Sequence, residues 1–206
     1  MIKKRFASGM LVLTMVAGML SGTAITVPAA TGDVKINATN FPDKNFRKYI
    51  KENLDKNSNG VLSKKEIKSV TELYVTHSNI SDMTGVNKFY NLETLGCQYN
   101  ELKSLNVSKL TKLKQLYCYE NKLSSLNLSK NTKLTELICY SNNLSSLDLS
   151  KLTKLESLDC SNNKLSSLDL SKNTKLTRLI CYSNNLSSLD LSKLTKLESL
   201  DCSNNK

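Results

Sequence analysis

From Val70 onward, the apolar positions of the chain fall in one fixed pattern. Leu95, Leu116, Leu137, Leu158, Leu179 and Leu200 recur every 21 residues. Two places further on, Cys97, Cys118, Cys139, Cys160, Cys181 and Cys202 keep the same step, and so do Asn100, Asn121, Asn142, Asn163, Asn184 and Asn205. One unit reads LTELICYSNNLSSLDLSKLTK (134–154) and the next LESLDCSNNKLSSLDLSKNTK (155–175). The pattern is L-x-x-L-x-C-x-x-N-x-L-x-x-L-D/N-L/V-S-K-x-T-K. Alternation at L-x-C predicts a short strand per unit, with Leu and Cys inward and the residue between them outward. The Asn stands where the chain turns away from that strand. A column of such amides can satisfy turn groups that would otherwise be buried and unpaired. One unit cannot bury its leucines alone, but stacked units share a continuous core.

A period of 21 with this core resembles the leucine-rich repeat. The resemblance covers residues 70–206 and implies an α/β solenoid, curved, with a parallel sheet on its concave face. Residues 70–91 fit a degenerate first unit, with Val70, Leu73, Val75, Ile80 and Met83 inward, Val75 in place of Cys and Ser78 in place of Asn. Atypical end units are expected in solenoids.

The pattern changes before Val70. Pro42 is placed to open a helix at its first turn, and Phe46, Tyr49, Ile50 and Asn53 follow at helical spacing. Then DKNSNGVLSKKE (55–66) matches the twelve-residue EF-hand calcium loop position by position. Asp55, Asn57 and Asn59 take places one, three and five, Gly60 the sharp turn, and Val61 the carbonyl at seven. Ser63 takes nine and Glu66 twelve, and a short helix from Lys64 to Val70 completes the motif. Only two of these ligands are charged and three lysines crowd them, so calcium is expected at an affinity of roughly 10⁻⁴–10⁻³ M. The alternative is a loop that keeps the shape without the metal. A dockerin would pair two such loops, and only one is present.

An EF-hand-like cap followed directly by leucine-rich repeats resembles the bacterial internalin-like surface proteins, as does ISDMTGVNKFYNLETL (80–95). The resemblance implies that the helical piece covers the hydrophobic end of the first repeat, and Phe46, Tyr49 and Ile50 are the candidates for that task. The later units, with L-D-L-S and a Cys column, are closer to other bacterial surface repeats, so the resemblance implies architecture rather than a receptor. The expected organisation is a signal peptide at 1–30, the cap at 31–69 and the solenoid at 70–206.

The signal reading comes from MIKKRFASGMLVLTMVAGMLSGTAITVPAA: a basic start, an apolar run from Met10 to Leu20, then small residues up to Ala30. That run is short for a bilayer span. The expectation is an exported protein at the bacterial cell surface, with no transmembrane segment after cleavage. The last unit breaks off ten residues in, so a longer protein is expected, with more repeats and a wall anchor downstream. Residues 134–164 and 176–206 differ only at Glu136 against Arg178, which suggests recent tandem duplication.

Six cysteines in an exported chain would suggest disulfides. Here all six share one inward column at a strand spacing of ~4.8 Å. That exceeds good Cβ separation for a disulfide, roughly 3.5–4.5 Å. They are expected to be buried free thiols serving as small hydrophobes.

Two outward columns flank the inward cysteines. Before Cys stand Tyr74, Gly96, Tyr117, Ile138, Asp159, Ile180 and Asp201; after it stand Thr76, Gln98, Tyr119, Tyr140, Ser161, Tyr182 and Ser203. Tyr74, Tyr117, Tyr119, Ile138, Tyr140, Ile180 and Tyr182 are the candidate contacts for a protein or glycan partner. The alternative is that the rings only stack along the sheet as cross-strand pairs.

The formal net charge is +11, and the S-K-x-T-K stretches carry a ladder: Lys109, Lys112, Lys130, Lys133, Lys151, Lys154, Lys172, Lys175, Lys193 and Lys196. It is either a solvated face or a contact for anionic cell-wall polymer. His77 is the single imidazole, and no G-x-S-x-G, H-E-x-x-H or paired carboxylates stand out. The sequence therefore predicts a non-catalytic binding protein, without nucleic acid as partner. The alternatives are a wall-associated spacer or scaffold, and the binding region of a larger enzyme whose catalytic domain lies outside this sequence.

Overall fold

A computed structural model describes residues 32–206; the stretch read as a signal, 1–30, lies outside them. The first element of the described residues is β1 (Val34–Lys35), which pairs antiparallel with β2 (Val61–Leu62). Between them runs α1 (Lys44–Asn53), and after them α2 (Lys64–Ser69). Helix α1 starts two residues later than Pro42 suggested. Asp43 is its N-cap, accepting from the backbone N–H groups of Asn45 and Phe46 at 2.9 Å each, and Pro42 stands just outside. Helix α2 opens with a capping box between Ser63 and Glu66.

Seven strands follow: β3 (Glu72–Tyr74), β4 (Thr94–Gly96), β5 (Gln115–Tyr117), β6 (Glu136–Ile138), β7 (Ser157–Asp159), β8 (Arg178–Ile180) and β9 (Ser199–Asp201). They form one parallel sheet in sequence order. Each strand is three residues long and centred on the predicted leucine. The register is unit to unit, Leu73 beside Leu95, Leu95 beside Leu116 and so on to Leu200. A repeat with constant spacing allows no other register without exposing its leucines.

The interior is a single apolar cluster running from Phe41 to Leu194. Cys97, Cys118, Cys139, Cys160 and Cys181 are buried and unpaired with one another, while Cys202 beside β9 is exposed. The Asn column bridges neighbouring units. Asn121 donates to Cys118 O and Tyr119 O of its own unit and to Cys97 O of the unit before, and accepts from Leu102 N–H at 3.0 Å. Asn142, Asn163 and Asn184 repeat this geometry. In the degenerate first unit Ser78 keeps one of the amide's bonds, its hydroxyl donating to Thr76 O at 2.8 Å. Asn100 of the next unit accepts from Ile80 N–H, as the later amides do in their units, and from Ser78 N–H as well.

The helical end closes onto the first unit. Phe46 and Ile50 are fully buried and Tyr49 is partly so, as expected. Burial of each apolar side chain contributes roughly 1.5–3 kcal/mol. Leu62, the apolar residue at place eight of the loop, is buried with them, and so are Phe41 and Phe89, which the spacing did not single out; Phe41 stacks on Phe89 at 6.4 Å and meets Phe46 edge-on at 6.0 Å. This closure needs Gly85. Its φ is +102°, and a Cβ there would lie 2.5 Å from the Asn40 carbonyl oxygen and 2.4 Å from the Phe41 ring.

Candidate functional site

The outward columns of the sheet lie in strict register, so side chains from successive units meet. Tyr74 leans across β4, where Gly96 makes room for it: a Cβ at Gly96 would stand 2.6 Å from the Tyr74 ring. Tyr117 donates its hydroxyl to Glu136 at 2.7 Å. Gln115 donates to the same carboxylate oxygen at 2.9 Å and accepts from Thr94 at 3.1 Å. Burial, and then the hydrogen bond to Glu136, push the Tyr117 hydroxyl well above the ordinary tyrosine pKa.

After the cysteines an aromatic row crosses four units. His77 stacks on Tyr99 at 4.2 Å, Tyr99 meets Tyr119 edge-on at 5.2 Å, and Tyr119 stacks on Tyr140 at 4.4 Å. His77 and Tyr99 belong to neither outward column and sit one place further along. That place has positive φ in every unit, 49° at His77 and 55° at Tyr99. The left-handed turn lets Tyr99 reach a neighbour in the preceding column. The signal was the Tyr itself in C-Q-Y-N, at a position strand alternation does not describe. Burial first, and the neighbouring Tyr99 hydroxyl second, raise the Tyr140 pKa above the tyrosine range.

The remaining candidates separate by exposure. Tyr74 is 46% exposed and Tyr99 41%. Tyr117, Tyr119, Ile138, Tyr140 and Tyr182 are half-buried. Ile180 is buried, which corrects its reading as a contact residue. Tyr182 stands apart from the row, with its hydroxyl receiving the Asn162 amide at 3.2 Å. Between Tyr140 and Tyr182 in unit order, Asp159 accepts from the N–H and hydroxyl of Ser161, and Ser161 is buried.

The loop between the helices gathers the six residues read as metal ligands. Asp55, 4% exposed, accepts from Asn59 N–H and Gly60 N–H; Asn57 accepts from Asn59 N–H, and Asn59 from Val61 N–H. Gly60 has φ +77°, as its place demands. Glu66 turns back into the loop, with one oxygen on Lys56 N–H and the other on Ser63 N–H and its hydroxyl. Burial would raise the Glu66 pKa, but these hydrogen bonds outweigh it and hold the carboxyl below the usual value. The donor set is all oxygen with two carboxylates, which suits a hard cation of the calcium type. Both Glu66 oxygens have backbone partners with which such an ion would compete.

Comparison with known proteins follows the same lines. A family model for leucine-rich repeats, in two copies, matches residues 132–173. Internalin J of Listeria monocytogenes is 38% identical over 68 residues, which is 33% of this chain and 7% of that protein. Among solved structures, internalin InlF of Listeria monocytogenes superposes with a TM-score of 0.74 at 31% identity, over 85% of this chain and 52% of that one. The functional domain of InlJ from the same organism, which includes a cysteine ladder, gives 0.57 at 31% identity, over 84% and 48%. A leucine-rich repeat protein of Leptospira interrogans gives 0.65 at 25% identity, over 70% and 40%. The chain thus spans a small part of the curated relative and about half of the two internalin structures. Its repeat, its one-directional sheet and these neighbours agree that the chain folds as a leucine-rich repeat solenoid, similar over most of its length to part of the two internalin structures.

Proposed function

We propose that the chain is an exported, non-catalytic binding protein that holds a protein partner against the outward, concave face of its sheet. The observation that carries this is the aromatic row from His77 to Tyr140, bordered by Tyr74, Tyr117 and the carboxylate of Glu136. Rings already stacked on each other lose little side-chain freedom on binding and bring large apolar area with polar tips. Carboxylates beside them supply directional contacts. Export rests on the signal-like residues 1–30 and places the protein at a bacterial surface. The loop 55–66 is proposed to take one calcium ion through Asp55, Asn57, Asn59, Val61 O, Ser63 and Glu66, stiffening the end that closes the solenoid.

The test is a photo-crosslinking amino acid placed at Tyr119 and, separately, at Lys151, with exposure to surface extracts of candidate partner cells. A protein adduct from position 119 only, lost when Tyr99 and Tyr140 are changed to Ala in a folded chain, supports the reading. Adducts from position 151 only, or adducts indifferent to the tyrosines, would overturn it. A glycan retained on the tyrosine face in place of any protein would replace the partner class.

A further inference from the structure

The positive charge of this protein is concentrated in one strip. Residues 31–206 hold 26 basic and 18 acidic side chains. Without the ten ladder lysines the balance is 16 against 18, so the ladder carries the whole excess. The structure shows how it is built. Each S-K-x-T-K stretch makes two consecutive turns, Ser108–Lys109 and Thr111–Lys112 in the unit of β4, with a lysine second in each. The residue between the turns is buried, Leu110 there and Asn131 in the next unit, and anchors the strip to the core. All ten lysines are exposed. None makes an ion pair among the described residues, whose pairs are Lys48–Glu52, Lys114–Glu93 and Lys122–Glu101.

Because the units stack in register, the lysines repeat at about the strand spacing, ~4.8 Å, and five units extend for roughly 19 Å. Like charges that close repel by about 1 kcal/mol per neighbouring pair even in water. A linear polyanion lying along the strip relieves that repulsion and releases the counterions held on both partners. A single small anion meets only one or two lysines. A bilayer surface would be favoured by exposed apolar side chains, but the large ones, Tyr74, Tyr90, Tyr99 and Leu200, lie outside these turns. The flanking Ser and Thr hydroxyls suit phosphate oxygens.

The strip is also graded. Asp148, Asp169 and Asp190 precede the turns in the last three units. Hydrogen bonds from Ser150, Ser171 and Ser192 hold their carboxyls below the usual aspartate pKa. The two earlier units have neutral Asn106 and Asn127 at that place instead; the carboxylate near them is Glu93, already paired with Lys114 and felt by Lys112 and Lys133 from further off. We propose that the lysine strip is a docking track for a linear phosphodiester polyanion, with its firmest part at Lys109, Lys112, Lys130 and Lys133.

Titration of residues 31–206 with poly(glycerol phosphate), with glycerol 3-phosphate and with phosphatidylglycerol vesicles tests this, between 50 and 200 mM salt. The polymer is expected to bind about 100-fold tighter than the monomer. Changing the four firmest lysines to Gln is expected to weaken polymer binding about 10-fold or more and to flatten its salt dependence by about 3 in log–log slope. The same change at Lys172, Lys175, Lys193 and Lys196 should do less, and Arg in place of Lys should preserve binding. Circular dichroism confirms that each variant is folded. Equal affinity for monomer and polymer, binding indifferent to the first quartet, or lysine-dependent binding of vesicles but not polymer would overturn the proposal. So would loss of polymer binding on changing Tyr119 and Tyr140 to Ala, since the polymer would then lie on the sheet face.

Discussion

Asp43 joins the helical end of the molecule to its first repeat through Ser81. One carboxylate oxygen caps α1; the other accepts from both the backbone N–H and the hydroxyl of Ser81, at 2.9 and 3.0 Å. Burial would raise this carboxyl, but the hydrogen bonds from Phe46, Ser81 and Asn45 prevail and hold it below the usual aspartate value.

Asp43→Ala therefore loses a cap and a tie at once. The cap alone is worth about 0.5–2 kcal/mol, and urea unfolding should show a loss toward the upper end. Asp43→Asn should lose less, because an amide oxygen still caps. The sign with pH follows from the depressed pKa: the contribution is complete above the unfolded value of ~4 and is lost as pH falls through the folded value. Wild type should lose more stability than Asp43→Asn on going from pH 5 to pH 3. Parallel pH curves for the two proteins would contradict the assignment.

Two buried asparagines of the same solenoid should respond in opposite ways to leucine. Asn121→Leu leaves Leu102 N–H buried without its acceptor and removes three donated bonds, a loss of about 2–4 kcal/mol. Asn131 donates to Val107 O and Leu110 O, which already receive Leu110 N–H and Leu113 N–H, and its own oxygen is buried without a partner. Leu110 and Leu152 hold the same place in adjacent units. Asn131→Leu should fall within about 1 kcal/mol of wild type, or stabilise. Equal losses in denaturant titrations would refute this distinction.

The thiols should behave as core rather than as redox groups. Burial pushes Cys97 up to about 12 and raises Cys118, Cys139 and Cys160 well above the free value. Thiolate is the reactive form. In residues 31–206 at pH 8, one thiol, Cys202, should be alkylated quickly, and the other five only on unfolding. Mass spectrometry after a short iodoacetamide pulse counts them. Two or more rapid adducts would show that the column opens.

Calcium should stabilise the helical end. With a dissociation constant near 1 mM, 10 mM calcium adds about 1.4 kcal/mol to unfolding. Magnesium should add less, and Glu66→Gln should abolish the response while Ser63 continues to cap α2. An unfolding curve unmoved by calcium in wild type would mean that Glu66 keeps its backbone partners and the loop takes no ion.

The strands and core were legible from the sequence because a fixed 21-residue step leaves each leucine one place to go. Periodicity alone puts Leu116 beside Leu137 and buries Cys118. The EF-hand match, which requires a helix after its loop, also located α2 within a residue. The closure of the helical end was only half legible. Phe46 and Ile50 follow a helical spacing, whereas Phe41 and Phe89 lie in irregular segments and meet only because Gly85 lets the backbone turn between them.

The sheet face divides in the same way. The sequence determined which side chains point outward, because alternation along a strand is a local rule. Only the tertiary structure decided which of them meet. Tyr99 joins the row through a left-handed residue that alternation does not describe, and Tyr74 covers Gly96 because the missing side chain belongs to a different unit. Ile180 has the outward place of Ile138 but is buried. Exposure depends on what the adjacent units place alongside a residue, and that is a property of the stack rather than of any one repeat.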